Sequence, residues 1–584
     1  MLKKVGKHVL ILDDVWDEVS LEEVEILEQS DSNSCKLVLT TRSEHVCKYT
    51  GYTVIKVKPF LAQQSLTLFL NDMGTRQETK GNGHDILKKL EDYCLLENVS
   101  SKNVKMIDTV RDMALSITRM NPRYMIQASL QLEELPEKEQ WSPDIEKVSL
   151  MYNSISEISI DIVSLPNFIS KLNNLTTLLL SGYSKLRDLP CLLILQESKK
   201  LDLSGTKIKE VPKGMDMLIK LRYLDIEVFT LIEIAAGLLP KLVHLKHLSI
   251  SGNNEKTSLK VEEMEPLKKL ECLTGHFKDI SEFNKFISSM QQSKKNLIKY
   301  SLQVGLAIFP HRRDKRVTIG GVQNWEGELI MHPIETQELN IVKCDYLTNL
   351  VDDNSSFKNA TNLRIYDCKG IECVVSLSSF ASSSAHPFQR LEMLDLLHLP
   401  KLSALIMNDA GIGLAITSTL ALSTTFSHLM KIFARRCSSM KTLLPHWLLP
   451  NLQNLDEISV DHCDELVEIL GAETSEVEEK GSDALIKFHI PKLRELSFWE
   501  LPNLKSICSK SGVMVCDSLE FIDVYKCDKM KRIPPFVPLV GNGQPFAYAP
   551  PSLTIKSRKE WWESLEWDDH PNFKNVLRFN PLGG

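Results

Sequence analysis

Apolar residues in the first half of the chain recur in the order apolar-x-x-apolar-x-x-apolar-x-apolar. The unit occupies residues 172–180, 218–226 and 242–250, and a shorter copy lies at 201–203. Its last two apolar residues alternate with polar ones, which predicts a short strand with one buried face. The predicted strands start at 178, 201, 224 and 248, so they are separated by 23, 23 and 24 residues. A nearly constant period predicts an array in which each unit buries its apolar face against the next.

A second register begins near residue 335, where an apolar-x-apolar strand is followed three residues later by cysteine. Leucine takes that place after the strands that start at 394 and 496. Thiols that recur once per repeat should lie spread along the stack, so we expect small buried hydrophobes and no metal site. The five cysteines of this register are Cys344, Cys368, Cys437, Cys463 and Cys527.

Both registers together predict a leucine-rich repeat solenoid, because a period of about 20 to 29 residues is that of leucine-rich repeats. The spacing of the second register is irregular and leaves room for insertions at 378–387, 408–425 and 471–483. Loops of this kind are where a binding surface would vary.

Composition and charge narrow the class of protein only by exclusion. The 584 residues are 43% hydrophobic and 25% charged with a net charge of −7, which is typical of a folded globular protein and leaves no nucleic-acid footprint. No window reaches the ~18 consecutive apolar residues that span a bilayer, no secretory leader stands at the start, and the cysteine count of 13 is odd. We therefore expect a reduced, intracellular protein with no transmembrane segment and no nucleic-acid partner.

Two apolar runs precede the array, and each ends in polar residues. His8–Asp14 ends in two carboxylates, and Cys35–Arg42 ends in Thr40, Thr41 and Arg42. Such runs are typical of buried parallel strands that carry ligand-binding groups at their carboxyl ends. A hydrophobic strand followed by two aspartates is also the Walker B arrangement, in which a carboxylate holds Mg²⁺ on a nucleotide.

Four blocks in order, Leu10–Trp16, Lys36–Arg42, Val57–Phe60 and Ser65–Phe69, closely resemble the nucleotide-binding (NB-ARC) module of plant intracellular immune receptors. The residue at Trp16 resembles the coiled-coil class of that family, and the repeat array behind the blocks fits the same family. The resemblance implies the α/β class, with a leucine-rich repeat solenoid preceded by a partial P-loop-NTPase-like (NB-ARC) α/β segment and a winged-helix remnant.

The resemblance also implies roles for individual residues. In this family the module is a switch that holds ADP when resting and ATP, with Mg²⁺, when active. By resemblance Asp13 is the carboxylate associated with the metal ion and Asp14 is its catalytic neighbour. Thr41 and Arg42 would contact the nucleotide, with Arg42 sensing the γ-phosphate, and Asp108 would end the family's Met-His-Asp latch.

Two departures from the family pattern predict a defective switch. Ile107 stands where the latch has a histidine, and a butyl group cannot donate a hydrogen bond to a phosphate. No Gly-x-x-x-x-Gly-Lys-Ser/Thr motif precedes the Asp-Asp strand, since Gly6-Lys7 is followed by His8. That loop supplies the backbone N–H groups and the lysine that hold the phosphates, so we expect most of the nucleotide affinity to be missing.

The chain is expected to contain four segments. They are a partial NB-ARC domain without the phosphate-binding loop at 1–75, a winged-helix remnant with a degenerate latch at 76–122, leucine-rich repeats at 145–535 and a C-terminal cap at 536–584. Only residues 75–86 stand where the family has a Gly-Leu-Pro-Leu block and a helical subdomain. We therefore expect a truncated and internally deleted receptor, or a gene model that has lost exons.

These features favour recognition over catalysis, and no hydrolase or metalloenzyme motif occurs. We expect the concave repeat surface to bind a pathogen effector or a guarded host protein, in the cytoplasm or at the periphery of the plasma membrane. Two alternatives stay open: a functional ADP/ATP-switch ATPase that signals in defence, and an adaptor or pseudogene product that associates with full-length receptors. Candidate contacts on the repeats are Asp202, Lys220, Arg222, Asp225, Arg364, Tyr366, Asp461 and Tyr525.

A group of tryptophans near the end of the chain has two interpretations. Trp561, Trp562 and Trp567 could form an aromatic patch for a ligand. More often such a group closes the apolar end of a solenoid, and we favour that interpretation.

Overall fold

The chain divides into two compact units, Met1–Ile117 and Thr118–Gly584, in a computed structural model. The described residues are 8–12, 35–40, 96–100, 103–106, 108–119, 123–128, 132, 136, 140–153, 172–251, 255–293, 296–305, 314–321, 333, 335–350, 360–376, 388–407, 425–471, 486–509, 512–540, 546–567 and 572–581. Within these ranges, no helix is both long and apolar enough to cross a bilayer.

The first unit contains two strand pairs and a helix. Strands β1 (His8–Leu12) and β2 (Cys35–Leu39) pair in parallel, with Leu12 opposite Leu39. Strands β3 (Leu96–Ser100) and β4 (Asn103–Met106) form an antiparallel pair, which helix α1 (Asp108–Arg119) follows. The two apolar runs ahead of the array are therefore confirmed as neighbouring parallel strands.

Strands dominate the second unit. Its first ten strands are β5 (Tyr124–Ile126), β6 (Lys147–Ser149), β7 (Thr177–Leu179), β8 (Lys200–Asp202), β9 (Tyr223–Glu227), β10 (His247–Ser251), β11 (Cys272–Phe277), β12 (Lys299–Gly305), β13 (Arg316–Gly320) and β14 (Glu338–Val342). The next eight are β15 (Asn362–Tyr366), β16 (Cys373–Ser376), β17 (Met393–Leu397), β18 (Ala404–Met407), β19 (Lys431–Arg435), β20 (Thr442–Pro445), β21 (Glu457–Asp461) and β22 (Glu468–Gly471). The last seven are β23 (Ile486–His489), β24 (Glu495–Trp499), β25 (Ser506–Cys508), β26 (Gly512–Val515), β27 (Phe521–Tyr525), β28 (Thr554–Ser557) and β29 (Arg578–Pro581).

Eighteen of these strands form one parallel sheet, the main sheet, in which each strand pairs with the strand of the next repeat. All eleven strands predicted from the two registers are present, and the predicted repeat architecture is confirmed. The sheet starts at Tyr124 and ends at Pro581, so its strands lie on both sides of the 145–535 span expected for the repeats.

The core of the array is made by the alternating apolar residues of the main sheet. In β9, Leu224 and Ile226 are at most 1% exposed, and the corresponding residues of the other repeats are buried in the same cluster. Burying one such side chain contributes roughly 1.5–3 kcal/mol, but the apolar face of a single repeat is covered only by its neighbours. The leucine ladder therefore dictates that the repeats stack.

Shorter sheets and one long helix form the return side of the repeats. Strand β16 pairs with β18, β22 pairs with both β20 and β25, and β23 pairs with β26. Between β11 and β12 lies helix α3 (Ile280–Gln292), whose first turn is capped by the Asp279 carboxylate accepting from the Glu282 N–H at 2.9 Å. Phe283 and Phe286 of this helix pack against Phe277.

The other helices are short. Helix α2 (Val261–Met264) precedes β11, α4 is Lys559–Glu563 and α5 is Phe573–Val576. Single 3-10 turns lie at Met215–Met217, Leu239–Lys241, Glu255–Thr257 and His446–Asn451.

The tryptophans near the end of the chain pack into the core and do not form an exposed patch. Trp561 and Trp562 are each 7% exposed, and the Trp561 indole N–H donates to the Cys527 carbonyl at 3.2 Å. The Trp562 ring stacks on Phe579 and meets Trp567 edge-on, with centroid distances of 4.8 and 5.3 Å. These contacts support the packing interpretation of the cluster.

Candidate protein-binding surface

Residues that alternate with the buried apolar ones lie on the other side of the main sheet, which we call the open face. In β9 the open face carries Tyr223, Asp225 and Glu227. Because the strands pair in parallel and in register, open-face residues of successive repeats form rows with a spacing of about 4.8 Å. Asp461, Trp499 and Tyr525, for example, are consecutive members of one row although they are far apart in sequence. The open face is thus a continuous surface built from many repeats.

A buried ion pair lies on the open face between β13 and β14. The Arg316 guanidinium is 2.8 Å from the Glu338 carboxylate, and both side chains are 3% exposed. Arg364 on the next strand lies 3.9 Å from the same carboxylate. Charges are found in such dry surroundings only when they are paired, because desolvation strongly penalises an isolated charge. This pair therefore fixes the local geometry of the face.

A polar network continues from this pair across the next strands. The Tyr366 hydroxyl donates to the Asp395 carboxylate at 3.0 Å, and the Arg435 guanidinium donates to the same group at 2.7 Å. Burial and the neighbouring Asp395 charge raise the pKa of Tyr366, so its hydroxyl stays a donor. Within the described residues, the buried Nε atoms of Arg364 and Arg435 have no hydrogen-bond acceptor.

An exposed aromatic cluster occupies the open face at β24 and β27. The Trp499 side chain is 43% exposed, and its ring centroid is 4.9 Å from that of Tyr525. The Arg558 guanidinium lies 4.5 Å from the Tyr525 ring centroid and donates to the Tyr525 hydroxyl at 2.8 Å. An ion pair between Lys526 and Glu500, with 2.6 Å between Nζ and Oε1, stands beside the rings. Tryptophan, tyrosine and arginine surrounded by charged residues are the composition typical of a binding hot spot.

The predicted contact residues fall into three places. Arg364, Tyr366, Asp461 and Tyr525 lie on the open face as expected. Asp202 and Asp225 also lie there, but they are only 7% and 6% exposed and accept hydrogen bonds locally, Asp202 from Ser204 and Asp225 from the Glu227 N–H.

Lys220 and Arg222 were chosen as contacts because we expected them at polar positions within a strand, and that prediction was wrong. Strand β9 starts at Tyr223, because the N–H groups of Arg222 and Tyr223 share the Lys199 carbonyl and the regular ladder begins only after them. Both residues therefore lie at the edge of the sheet. Conversely, Trp499 was not among the predicted contacts. Its place directly after the inward-facing Phe498 of a predicted strand could have indicated a contact position on the open face.

The repeated cysteines are structural, as predicted. The Cys344 N–H donates to the Cys368 thiol at 3.3 Å, and the Cys437 N–H donates to the Cys463 thiol at 3.4 Å. All five are buried free thiols, and burial raises the pKa of Cys527 to about 11. Across the described part of the chain, no group of three or more His, Cys, Asp or Glu side chains could hold a metal ion.

Most of the residues assigned to the nucleotide are not described. Strands β1 and β2 end in register, with Leu12 opposite Leu39. Asp13, Asp14, Thr41 and Arg42 themselves lie outside the described residues. Asp108 is the first residue of α1, and its side chain also lies outside the described set.

Repeated strands of this form, stacked in one parallel sheet, define a leucine-rich repeat protein. The family of plant disease resistance leucine-rich repeats described as RPS2-like matches residues 414–538, and the NB-ARC domain family matches residues 1–79. The chain is therefore similar to an NB-ARC domain in its first 79 residues and to disease resistance leucine-rich repeats at 414–538. Trp499 and Tyr525 lie inside the matched repeats.

The relatives over most of the chain are disease resistance proteins of Arabidopsis thaliana. Disease resistance protein At4g27190 is 26% identical over 88% of this chain and 56% of its own length. Disease resistance protein RPS5 is 25% identical over 88% of this chain and 50% of its own length. The chain thus spans about half the length of these relatives. Among solved structures, a leucine-rich repeat protein of Leptospira interrogans is 16% identical, with a TM-score of 0.38 over 80% of this chain and 98% of its own.

Proposed function

We propose that this chain acts in plant innate immunity as a recognition protein whose open face binds a protein partner, either a pathogen effector or a host protein that it guards. The observation that carries the proposal is the aromatic cluster of Trp499, Tyr525 and Arg558 on the open face. Trp499, which is 43% exposed beside the Tyr525 ring, leaves apolar surface in contact with water. Binding of a partner would bury this surface. We place this activity in the cytoplasm.

The buried polar network beside this cluster supports specificity. The side chains of Arg364 and Arg435 are 21% and 40% exposed on the same face. A partner that supplies acceptors to these guanidinium groups would gain charge-assisted hydrogen bonds, and one that covers them without acceptors would cost them their hydrogen bonds to water. Rings would thus provide affinity, while the arginines would discriminate between partners.

Site-specific crosslinking tests the proposal. A photoreactive phenylalanine derivative replaces Trp499 in one preparation and Tyr346 in another, because Tyr346 is 70% exposed but lies in a turn outside the strands. Each full-length preparation is irradiated in extracts of challenged and unchallenged leaves. We expect a discrete crosslinked protein from position 499 and none from position 346. The same products from both positions, or none from position 499, would contradict the proposal.

A nucleotide switch is a second candidate, which the parallel pairing of β1 and β2 supports because open α/β sheets bind ligands at the carboxyl ends of such strands. By family resemblance Asp13 would hold Mg²⁺, Asp14 would orient water, and Thr41, Arg42 and Asp108 would contact ADP or ATP. Titrating the chain with ADP and ATP tests this function. Micromolar affinity that disappears in Asp13→Ala would establish a switch, whereas equal behaviour of the two proteins would exclude this site.

A further inference from the structure

A basic cleft lies at the edge of the main sheet where strands β8 to β10 begin, and we call it the edge cleft. Its volume is about 430 Å³. Every residue that lines it carries a positive charge or gains one on protonation. The lining residues are Lys199, Lys220, Arg222, His244, Lys246 and Lys269.

The repeat itself arranges these side chains in two rows. The first row stands directly before three successive strands and consists of Lys199, Arg222 and Lys246. The Arg222 N–H donates to the Lys199 carbonyl, and the Lys246 N–H donates to the Arg222 carbonyl, both at 2.8 Å. The second row lies two residues earlier in each repeat and contains Lys220, His244 and Lys269. Because parallel strands are spaced by about 4.8 Å, the backbone holds these cations close together.

Carboxylates neutralise only two members of the cleft. Lys220 pairs with Glu197 at 2.5 Å, and Lys246 pairs with Glu271 at 2.6 Å. Within the described ranges, Lys199 and Arg222 have no carboxylate at ion-pair distance.

Lys269, the remaining lysine of the cleft, also has no carboxylate at ion-pair distance within the described ranges. Its Nζ lies 2.9 Å from Nδ1 of the His244 imidazole. Cations gathered in this way repel one another, so an anion bound among them would be stabilised by several charges at once.

We propose that the edge cleft binds a small anion that carries more than one phosphate group. An arginine guanidinium makes two parallel hydrogen bonds to a phosphate, and lysine ammonium groups act on the same anion as point charges. A volume of this size is that of a small-molecule site. The lining has no apolar side chain to receive the hydrophobic anchor of a protein partner, and it has no Phe, Tyr or Trp ring on which a base could stack.

Calorimetric titration of the purified full-length chain with inorganic tripolyphosphate tests the proposal. The variant Lys199→Gln/Arg222→Gln removes two of the three cations without carboxylate partners and leaves both ion pairs intact. The matched control is Lys207→Gln/Lys213→Gln, which removes the same charge from exposed lysines between β8 and β9, outside the cleft. We expect saturable binding that weakens at high salt, a dissociation constant at least about tenfold higher in the cleft variant, and no change in the control.

Three results would overturn the proposal. They are no saturable binding by the wild-type chain, an equal loss in both variants, and tighter binding of a hexaglutamate peptide than of tripolyphosphate, which would assign the cleft to an acidic protein segment. Tripolyphosphate binding that survives in the cleft variant but disappears in Asp13→Ala would place the anion in the first unit and would also contradict it. None of these outcomes depends on whether the open face binds a protein.

Discussion

Early and late repeats make the same turn after several strands of the main sheet, with different residues. In the early repeats Gly182 and Gly205 adopt φ angles of 74° and 70°. In the late repeats the equivalent residues are not glycine, and Lys343 and Asp367 have φ angles of 52° and 59°. The turn geometry is therefore a property of the repeat. Glycine meets it without strain, whereas other residues meet it at a cost that the stacked neighbours offset.

The residue that follows this turn also differs between the two regions. The Thr206 hydroxyl of an early repeat donates to the Leu203 carbonyl at 2.7 Å. The Cys344 thiol of a late repeat points to the Val342 carbonyl at 3.4 Å. Thr206 and Cys344 are both small buried side chains that face main-chain carbonyls, and a thiol can do this because it is apolar and yet a weak donor.

Charge burial should produce the largest difference between the regions. Early repeats bury Asp225 with hydroxyl and backbone donors, while Arg316 in the later part is paired with Glu338. Arg316→Met leaves the Glu338 charge buried without its main partner, so we expect a loss of about 3–5 kcal/mol in urea unfolding. Arg494→Met removes an arginine whose side chain is 57% exposed in its pair with Asp456 and should change stability much less. Equal losses would contradict this interpretation.

Adding a methyl group to a turn glycine of the early repeats should give the next largest effect. A Cβ on Gly182 would lie 2.7 Å from Cδ1 of Tyr152 and would be held at a positive φ. We expect Gly182→Ala to destabilise the chain by about 2 kcal/mol. Gly237→Ala is the control, because Gly237 has a φ of 77° with no atom within 4 Å and so measures backbone strain alone. A larger loss in the control than in Gly182→Ala would be inconsistent with the contact.

The buried thiol of a late repeat predicts a pH dependence of stability. Burial raises the pKa of Cys527 from 9.0 to about 11. The folded state therefore keeps its proton while the unfolded state loses it, and stability falls as the pH rises between these two values. The stability advantage of the wild type over Cys527→Val should shrink over this range. A constant difference would show that the thiol does not titrate differently on folding.

Replacing the turn residue of a late repeat by glycine should give the smallest change in stability. We expect Lys343→Gly to change stability by less than about 1 kcal/mol, because relief of the positive φ is partly offset by the greater freedom of glycine in the unfolded chain. Thermal unfolding of Lys343→Gly and Gly182→Ala, measured side by side, compares the gain of a turn glycine with the loss of one. A large loss in Lys343→Gly would mean that the lysine side chain itself stabilises the turn.

Strand positions were predicted where the apolar alternation belonged to one of the two repeat registers, as at Leu224 and Ile226. Strand β11 escaped prediction because Gly275 stands at its second inward position, where a Cβ would lie 2.4 Å from the Leu259 side chain. Helix α3 then separates β11 from β12 and interrupts the register. The apolar pattern therefore fails to predict a strand where a neighbouring side chain occupies the space that the strand's own apolar residue would otherwise fill.

Surface residues were predictable only in part. The repeat pattern identified Tyr525, but it could not show that Trp499 and Arg558 would lie against it, because those contacts depend on strand register and on a residue beyond the last predicted strand. The edge cleft was hidden for the same reason, since its cations come from successive repeats and meet only after stacking. The roles of Asp13, Asp14, Thr41, Arg42 and Asp108 remain predictions from family resemblance.

The central claim is that the open face binds a protein through its aromatic cluster. Its most direct test is the affinity of the protein crosslinked at position 499 for the wild type, for Trp499→Ala/Tyr525→Ala and for Tyr346→Ala. We predict at least about thirtyfold weaker binding by the double variant and no change in Tyr346→Ala. Equal affinity of the double variant and the wild type would contradict the claim.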